Sequence, residues 1–261
     1  MQFPTHILNH NKIISQLSKQ SQQDLLYLKV IDTIDSTNTY VLNQADYPIA
    51  CLAEYQTAGR GRLGRQWISH YAGGIYLSIK HSYAKLNFSL TGLNIALTVT
   101  IVRVLHSFGA TDVAIKWPND LLWQAHKLAG LLLESRFISS RCEVVIGIGL
   151  NVNMPKIKSI DQAWIDLETI LGQNVSRNDL AAALIDHCLQ TLMTYPKTGL
   201  EPYKQDWHRF DLSYGKIVTV KIPIADGEYK LITAKANGID EQGALQVGKH
   251  KYVCGEVSLR L

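Results

Sequence analysis

Residues 144–152, Val-Val-Ile-Gly-Ile-Gly-Leu-Asn-Val, constrain the fold of this chain more than any other stretch. As a strand they place Val144, Ile146, Ile148, Leu150 and Val152 on one face and Val145, Gly147, Gly149 and Asn151 on the other, because successive side chains alternate. The first face is a continuous apolar surface that must be covered. The second is nearly bare and leaves room for a ligand or for a neighbouring side chain. A cover is available in residues 90–108, where Leu93, Leu97, Ile101 and Leu105 recur at helical spacing and predict a core helix. Residues 73–80 alternate as well, with Ile75, Leu77 and Ile79 opposite Tyr76, Ser78 and Lys80. Apolar runs at 25–34, 51–56 and 113–117, and a hairpin of 121–123 with 127–134, supply further strands. The expected class is α+β, a sheet covered by helices.

The rest of the chain divides by texture. Ile13, Ile14 and Leu17 predict a short helix that the polar residues 18–24 end. Helical patterns run through Leu171 and over 180–192, a break is expected at Tyr195-Pro196-Lys197-Thr198-Gly199, and 203–210 resumes as helix. From Leu212 onward short strands alternate with turns, the turns placed at Asp226-Gly227 and Asn237-Gly238. That spacing predicts a barrel of about 50 residues, too small to be stable unless docked on the larger unit. The expected division is therefore 1–211 and 212–261.

The densest chemistry lies in Gln56-Thr57-Ala58-Gly59-Arg60-Gly61-Arg62-Leu63-Gly64-Arg65-Gln66-Trp67, between two predicted strands. Glycine lets the backbone approach a ligand, and arginine offers a planar fork of donors that fits carboxylate and phosphate. A solvated basic loop and an anion clamp both fit these residues. The net charge of +4 is modest, and three of the positive charges sit in this loop, so a small anionic ligand is expected and a nucleic-acid groove is not. Cys51, Cys142, Cys188 and Cys254 form no C-x-x-C pair, which speaks against a zinc knuckle or a disulfide framework. With no charged leader before an apolar run, and polar interruptions in 90–108, neither export nor a membrane span is expected, and the reading is cytoplasmic.

Three corners could serve this loop. Asp35-Ser36-Thr37-Asn38 follows a strand and suits a helix start; it either caps or turns its hydroxyls and free N–H groups toward a polar ligand. Asn119 and Asp120 follow Pro118, as plain turn residues or, if the ligand is a nucleotide, with Asp120 as a Mg2+ carboxylate. Lys127 opens a strand and becomes interesting only if it faces the same ligand as Arg60 and Arg62.

The ordered set of these corners, with Lys116-Trp117-Pro118-Asn119-Asp120, Lys127-Leu128-Ala129-Gly130 and Gly147-Ile148-Gly149-Leu150-Asn151-Val152, resembles the biotin-protein ligases from about residue 12 onward. The resemblance implies a mixed sheet of the class II synthetase-like kind with an SH3-like C-terminal barrel, in the short form without an N-terminal DNA-binding domain. It implies ATP and biotin as substrates with Mg2+, formation of biotinyl-5'-AMP, and transfer of biotin to a lysine of the biotin carboxyl carrier protein of acetyl-CoA carboxylase or a related carboxylase. By motif, Ser36, Thr37, Asn38 and Gln56 would hold biotin, and Arg60, Gly61 and Arg62 would close over its carboxylate and the α-phosphate. Lys127 would contact the biotin carboxylate and the acyl-phosphate oxygens, and Lys127 and Arg62 would be the catalytic groups. Arg60, Arg62, Trp67, Lys116, Asn119, Asn151 and Trp164 would serve the nucleotide, and Asp120 would hold the metal. Leu63 stands where some members carry another arginine, which makes the loop's field milder.

A lipoate ligase or octanoyl transferase of the same fold is the nearest rival, and it is expected to carry a different glycine-arginine motif. A repressor would need a helix-turn-helix that residues 1–30 are too short to supply, and no P-loop motif is present. Exposed strands at the sheet edge allow a homodimer.

Overall fold

The computed structural model describes residues 7–155, 162–224, 228–254 and 258–260. Its larger sheet has seven strands: β1 Tyr27–Ile34, β2 Ile49–Gln56, β3 Gly74–Tyr83, β4 Ala114–Lys116, β5 Asp120–Trp123, β6 His126–Ile138 and β7 Arg141–Asn151. Their spatial order is β1-β2-β3-β7-β6-β5-β4. Only β1 and β2 run parallel, so the sheet is mixed, as the resemblance implies.

β7 sits in the middle of the sheet and divides its two faces as its sequence predicts. Val144, Ile146, Ile148, Leu150 and Val152 all enter the main core, beneath α4 (Leu90–Ser107) and α6 (Arg177–Thr198), which pack on each other. By length and composition α4 is apolar enough to cross a bilayer, but most of it is buried in this core. The opposite face is shared by Ser78, Gly147 and Leu132 in one row and by Tyr76, Gly149 and Gly130 in the next. α3 (Thr37–Leu42) covers one end of that face, where Val41 packs with Ile49, Cys51 and Val145. Because α3 is short, the remainder is left for a pocket. The second face of β3 is thus buried too: Tyr76, Ser78 and Lys80 are at most 1% exposed. The Lys80 ammonium is compensated by Glu143 at 3.1 Å and by the Gln44 carbonyl at 2.5 Å, as a buried charge requires.

Several local expectations are corrected. The first helix, α1 (His10–Gln16), ends before Ser18 as expected, but residues 18–24 are themselves helical: Ser18 caps a second helix, α2 (Lys19–Asp24). Its hydroxyl accepts from Ser21 N–H while donating to Asp186 at 2.6 Å, and a polar run of good helix formers needs no apolar stripe on the surface. The expected break at Tyr195-Pro196 is absent, because α6 continues through Pro196 to Thr198. Proline there frees the carbonyl of Leu192, and Tyr83 Oη donates to it at 2.9 Å. The short α5 (Leu167–Leu171) and α7 (Glu201–Phe210) complete the helices.

The C-terminal region is a five-stranded antiparallel sheet of the SH3-like kind, β8 (Ile217–Pro223), β9 (Tyr229–Ile239), β10 (Leu245–Val247), β11 (His250–Tyr252) and β12 (Ser258–Arg260), in the order β11-β10-β9-β8-β12. The turn expected at Asn237-Gly238 is a bulge inside β9: Leu245 pairs with Ile239 but Val247 with Ala236, and Gly238 takes φ 86°. The turn expected at Asp226-Gly227 lies outside the described residues. This sheet is docked as expected. Val218, Val220, Leu245 and Val247 belong to the main core, and Leu212 N–H donates to Ile115 O at 2.9 Å.

One partly buried residue of β3 carries a pH signature. His81 on β3 stacks edge-on against Tyr83 with centroids 4.6 Å apart, and its Nδ1 has no partner among the described residues. Burial pushes this imidazole down to about 4 from the ordinary 6.5, against the opposing pull of Asp24. Between those values the unfolded chain binds a proton that the folded chain does not. Stability is therefore full above pH about 6.5 and falls toward pH 4, by at most about 1.4 kcal/mol per unit for one group. His81→Phe is expected to flatten the pH dependence of the urea midpoint between pH 7 and 5. Parallel profiles for the two proteins would refute this.

Candidate active site

The connection between β2 and β3 folds on itself as a small hairpin. Gly61 N–H donates to Arg65 O at 2.7 Å, Trp67 N–H to Gly59 O at 2.9 Å, and Arg60 bridges Gln66. A 3-10 turn, Arg62–Gly64, forms the tip, with Leu63 at φ 55° and Gly64 at φ 72°. The glycines serve different needs. A Cβ on Gly59 would strike the Trp67 carbonyl, so that position must be bare, whereas at Gly64 the requirement is conformational.

Beneath the loop, one pocket is lined by Ser36, Thr37, Asn38, Gln56, Arg60, Gly61, Arg62, Trp67, Asn119, Asp120 and Lys127, joined by Arg65, Gln66 and Gln162. Sequence reasoning thus named most of its wall. One end is a network of neutral polar groups. Ser36 caps α3, which exposes the backbone of Thr37 to Gln56. Gln56 Oε1 accepts from Thr37 N–H at 2.9 Å and from its hydroxyl at 3.1 Å. Ser78 Oγ, which motif reading did not pick out, donates to Asn38 Oδ1 at 2.5 Å and lies 2.7 Å from Thr37 Oγ1. Asn38 lies flat on β7, since a Cβ at Gly147 would collide with its carboxamide.

The other end is cationic: Arg60, Arg62, Arg65 and Lys127 line the pocket, with Asp120 the one carboxylate among its described lining residues. Lys127 Nζ pairs with Asp120 Oδ1 at 2.6 Å and stands 5.5 Å from the centre of the Trp67 ring. That ring lies on Gly149, where a Cβ would collide with it. On the bare face of β7 the glycines admit neighbouring side chains, Asn38 and Trp67, and those side chains line the cavity. The indole Nε1 of Trp67 is buried without a hydrogen-bond partner among the described residues. Such an orphan donor is what a site awaiting an acceptor would show.

Arg62 Nη1 donates to Asn119 Oδ1 at 3.2 Å, and Asn119 Nδ2 donates in turn to Leu131 O. Burial pulls the Arg62 guanidinium below its ordinary value, opposed by Cys254 and Asp120. Asn119 lines the pocket, but its carboxamide is engaged in seating Arg62 on β6. Asn151 is likewise engaged: its Nδ2 donates to Ile165 O at 3.1 Å, and Lys127 N–H donates to Ala163 O at 2.9 Å. These bonds hold the segment that carries Trp164 against the site. Trp164, Asn151, Trp67 and Lys127 line a second, adjoining cleft.

Lys116 stands apart from the main pocket. It lines a third cleft with Asn119, Asp120 and Arg65, closed on its far side by Lys221 and Arg260, and burial lowers its pKa, opposed chiefly by Asp120. Among the described residues no group of three or more His, Cys, Asp or Glu side chains could hold a metal. Asp120 alone is compatible with Mg2+ only where phosphate oxygens complete the shell.

Glu134, like Ser78, is a residue at the site that sequence reasoning did not single out. Its Oε1 pairs with Arg60 Nη2 at 2.7 Å and its Oε2 accepts from Asn38 Nδ2 at 2.8 Å. The available signal was parity, since Gly130, Leu132 and Glu134 share the site face of β6.

Comparisons with known proteins bear on the family and the fold. A profile of the Biotin/lipoate A/B protein ligase family matches residues 30–151. The bifunctional ligase/repressor BirA of Escherichia coli (strain K12) is 38% identical, over 98% of this chain and 79% of its own length. The biotin–[acetyl-CoA-carboxylase] ligase of Mycobacterium tuberculosis is 29% identical, over 84% of this chain and 82% of its own. A solved structure of biotin protein ligase from Aquifex aeolicus in complex with biotin and ATP aligns with TM-score 0.77 at 27% identity, covering 89% of this chain and 98% of that one.

Proposed function

The chain belongs to the biotin-protein ligase family, and from that membership we propose how its own residues carry the reaction. The activity is ATP-dependent biotinylation of a carrier protein. In the first step a biotin carboxylate oxygen bonds to the α-phosphorus of ATP as the bond to pyrophosphate breaks. In the second a carrier lysine attacks the acyl carbon, an amide forms, and AMP leaves. The lipoate and octanoate alternative is not favoured by the relatives, which are named for biotin.

The observation that carries the residue assignment is the polarity of the pocket. Ser36, Thr37, Asn38 and Gln56 form a neutral, hydrogen-bonding end, suited to a ureido ring. Arg62 and Lys127 form a cationic end, where carboxylate and phosphate must meet. Bringing two anions together requires donors that follow charge onto the leaving group, and preorganised cations in a dehydrated site provide them. No side chain need act as a covalent nucleophile. The nucleotide is assigned to the clefts lined by Trp67, Trp164 and Lys116, with Asn119 and Asn151 holding their walls. Mg2+, when bound with ATP, would be held by Asp120 and phosphate oxygens and would offset phosphate charge.

We assign residues 1–211 to the catalytic unit and 212–261 to the SH3-like module, and the acceptor to the biotin carboxyl carrier domain of a carboxylase. A cytoplasmic location and a homodimer through a sheet edge complete the reading. The test is incubation of the purified protein with ATP, Mg2+, biotin and a biotin carboxyl carrier domain. The expected result is one biotinyl adduct on one carrier lysine by mass. Labelling with lipoate and not with biotin would overturn the assignment.

A further inference from the structure

We propose that Glu134 is the catch of the basic loop and that Arg60 is a positioning residue held by it, not a ligand for the reacting anions. Arg60 is held by a carboxylate within the fold: its Nη2 meets Glu134 Oε1 at 2.7 Å. The Arg60 charge is therefore already compensated within the fold. An anion that recruited it would have to break a charge-assisted bond and would then lie beside a bare Glu134, a like charge.

Position agrees with partnering. Arg60 borders both the pocket in front of the loop, with Lys127 and Asp120, and the recess behind it; Glu134 lines the recess, so the pair draws Arg60 toward the back. Arg60 is the more exposed member of its pair, 44% against 23% for Glu134, so the tie is moderate and can open. The other oxygen of Glu134 accepts from Asn38 at 2.8 Å, and Asn38 is fixed by Ser78 and bedded on Gly147. One rigid β6 carboxylate thus links the polar end of the pocket to the loop. On the functional reading above, biotin touching Asn38 would steady Glu134, Glu134 would steady Arg60, and the loop would stay shut with Arg62 in place.

Four variants test this: Arg60→Glu, Glu134→Arg, the double exchange of the two, and Glu134→Gln, which keeps size and removes charge. Hydrogen exchange at the Gly61 and Trp67 amides of the ligand-free protein reads the catch without any substrate, so it stands even if biotin is not the ligand. Release of preformed biotinyl-AMP reads it in function. Each single variant is expected to speed both by about fivefold, the scale of a partly exposed ion pair. The double exchange is expected to restore both to nearly the original rates, because a reversed pair closes the same catch. Unchanged loop exchange in the single variants would overturn the proposal. So would restored exchange without restored adenylate retention in the double exchange, since Arg60 would then be serving the anion itself.

Discussion

Replacing Lys127 by alanine is expected to slow adenylate formation by about a hundredfold to a thousandfold, with little change in thermal stability. Two like-charged reactants must approach within the pocket, and Lys127 is the cation placed between the loop and Asp120, 2.6 Å from that carboxylate. An ion pair at about 4 Å near a protein surface is worth about 4 kcal/mol before desolvation, which is about a thousandfold in rate if realised only in the transition state. The variant also leaves Asp120 facing both anions without its counter-ion, so the loss is larger than that of one contact. Lys127→Arg should rescue little. The lysine presents a compact point charge 2.6 Å from Asp120 and over the Trp67 ring, a geometry that a planar guanidinium fork does not reproduce. Pyrophosphate release at saturating biotin and ATP measures the first step, and transfer from supplied biotinyl-AMP measures the second. A first-step rate within tenfold of the original would sink the assignment of Lys127.

The site was legible wherever chemistry coincided with an alternating strand or a glycine-rich loop. Ser36, Gln56, Arg62, Asp120 and Lys127 were all visible as polar residues at the ends of apolar runs, and the structure brings them to one pocket. Glu134 was not, because an acid at the predicted end of a strand is indistinguishable from a solvated one until the loop folds over it. Asn119 and Asn151 were expected at the nucleotide, but their carboxamides hold backbone and Arg62. Sequence marks a polar residue without saying which of two neighbours it will bond. For the same reason Pro196 looked like a helix end. The Tyr83 hydroxyl that satisfies the freed carbonyl comes from more than a hundred positions away in the chain.

Gly147→Ala and Gly149→Ala, two residues apart, are expected to damage different substrates. Both glycines face the pocket from β7, the strand whose bare side first suggested a binding shelf. A methyl group at Gly147 would collide with the Asn38 carboxamide, at the end assigned to biotin. A methyl group at Gly149 would collide with the Trp67 indole, at the end assigned to the nucleotide, and would tilt the ring that carries Lys127. Neither neighbour can yield freely. Asn38 is bonded to Ser78 and Glu134, and the backbone N–H of Trp67 is tied to Gly59 at 2.9 Å. A displacement of about 1 Å in a positioning group can cost about a hundredfold, while overpacking of this kind costs about 1 to 3 kcal/mol of stability. Gly147→Ala should therefore raise the KM for biotin by at least about tenfold with the KM for ATP nearly unchanged, and Gly149→Ala should do the reverse. In the Gly149→Ala background, Trp67→Leu should recover stability but not ATP affinity, because the clash is removed together with the nucleotide contact. Equal effects of the two alanines on both substrates would mean that biotin and ATP do not divide the pocket along β7, and the residue assignments at both ends would fall together.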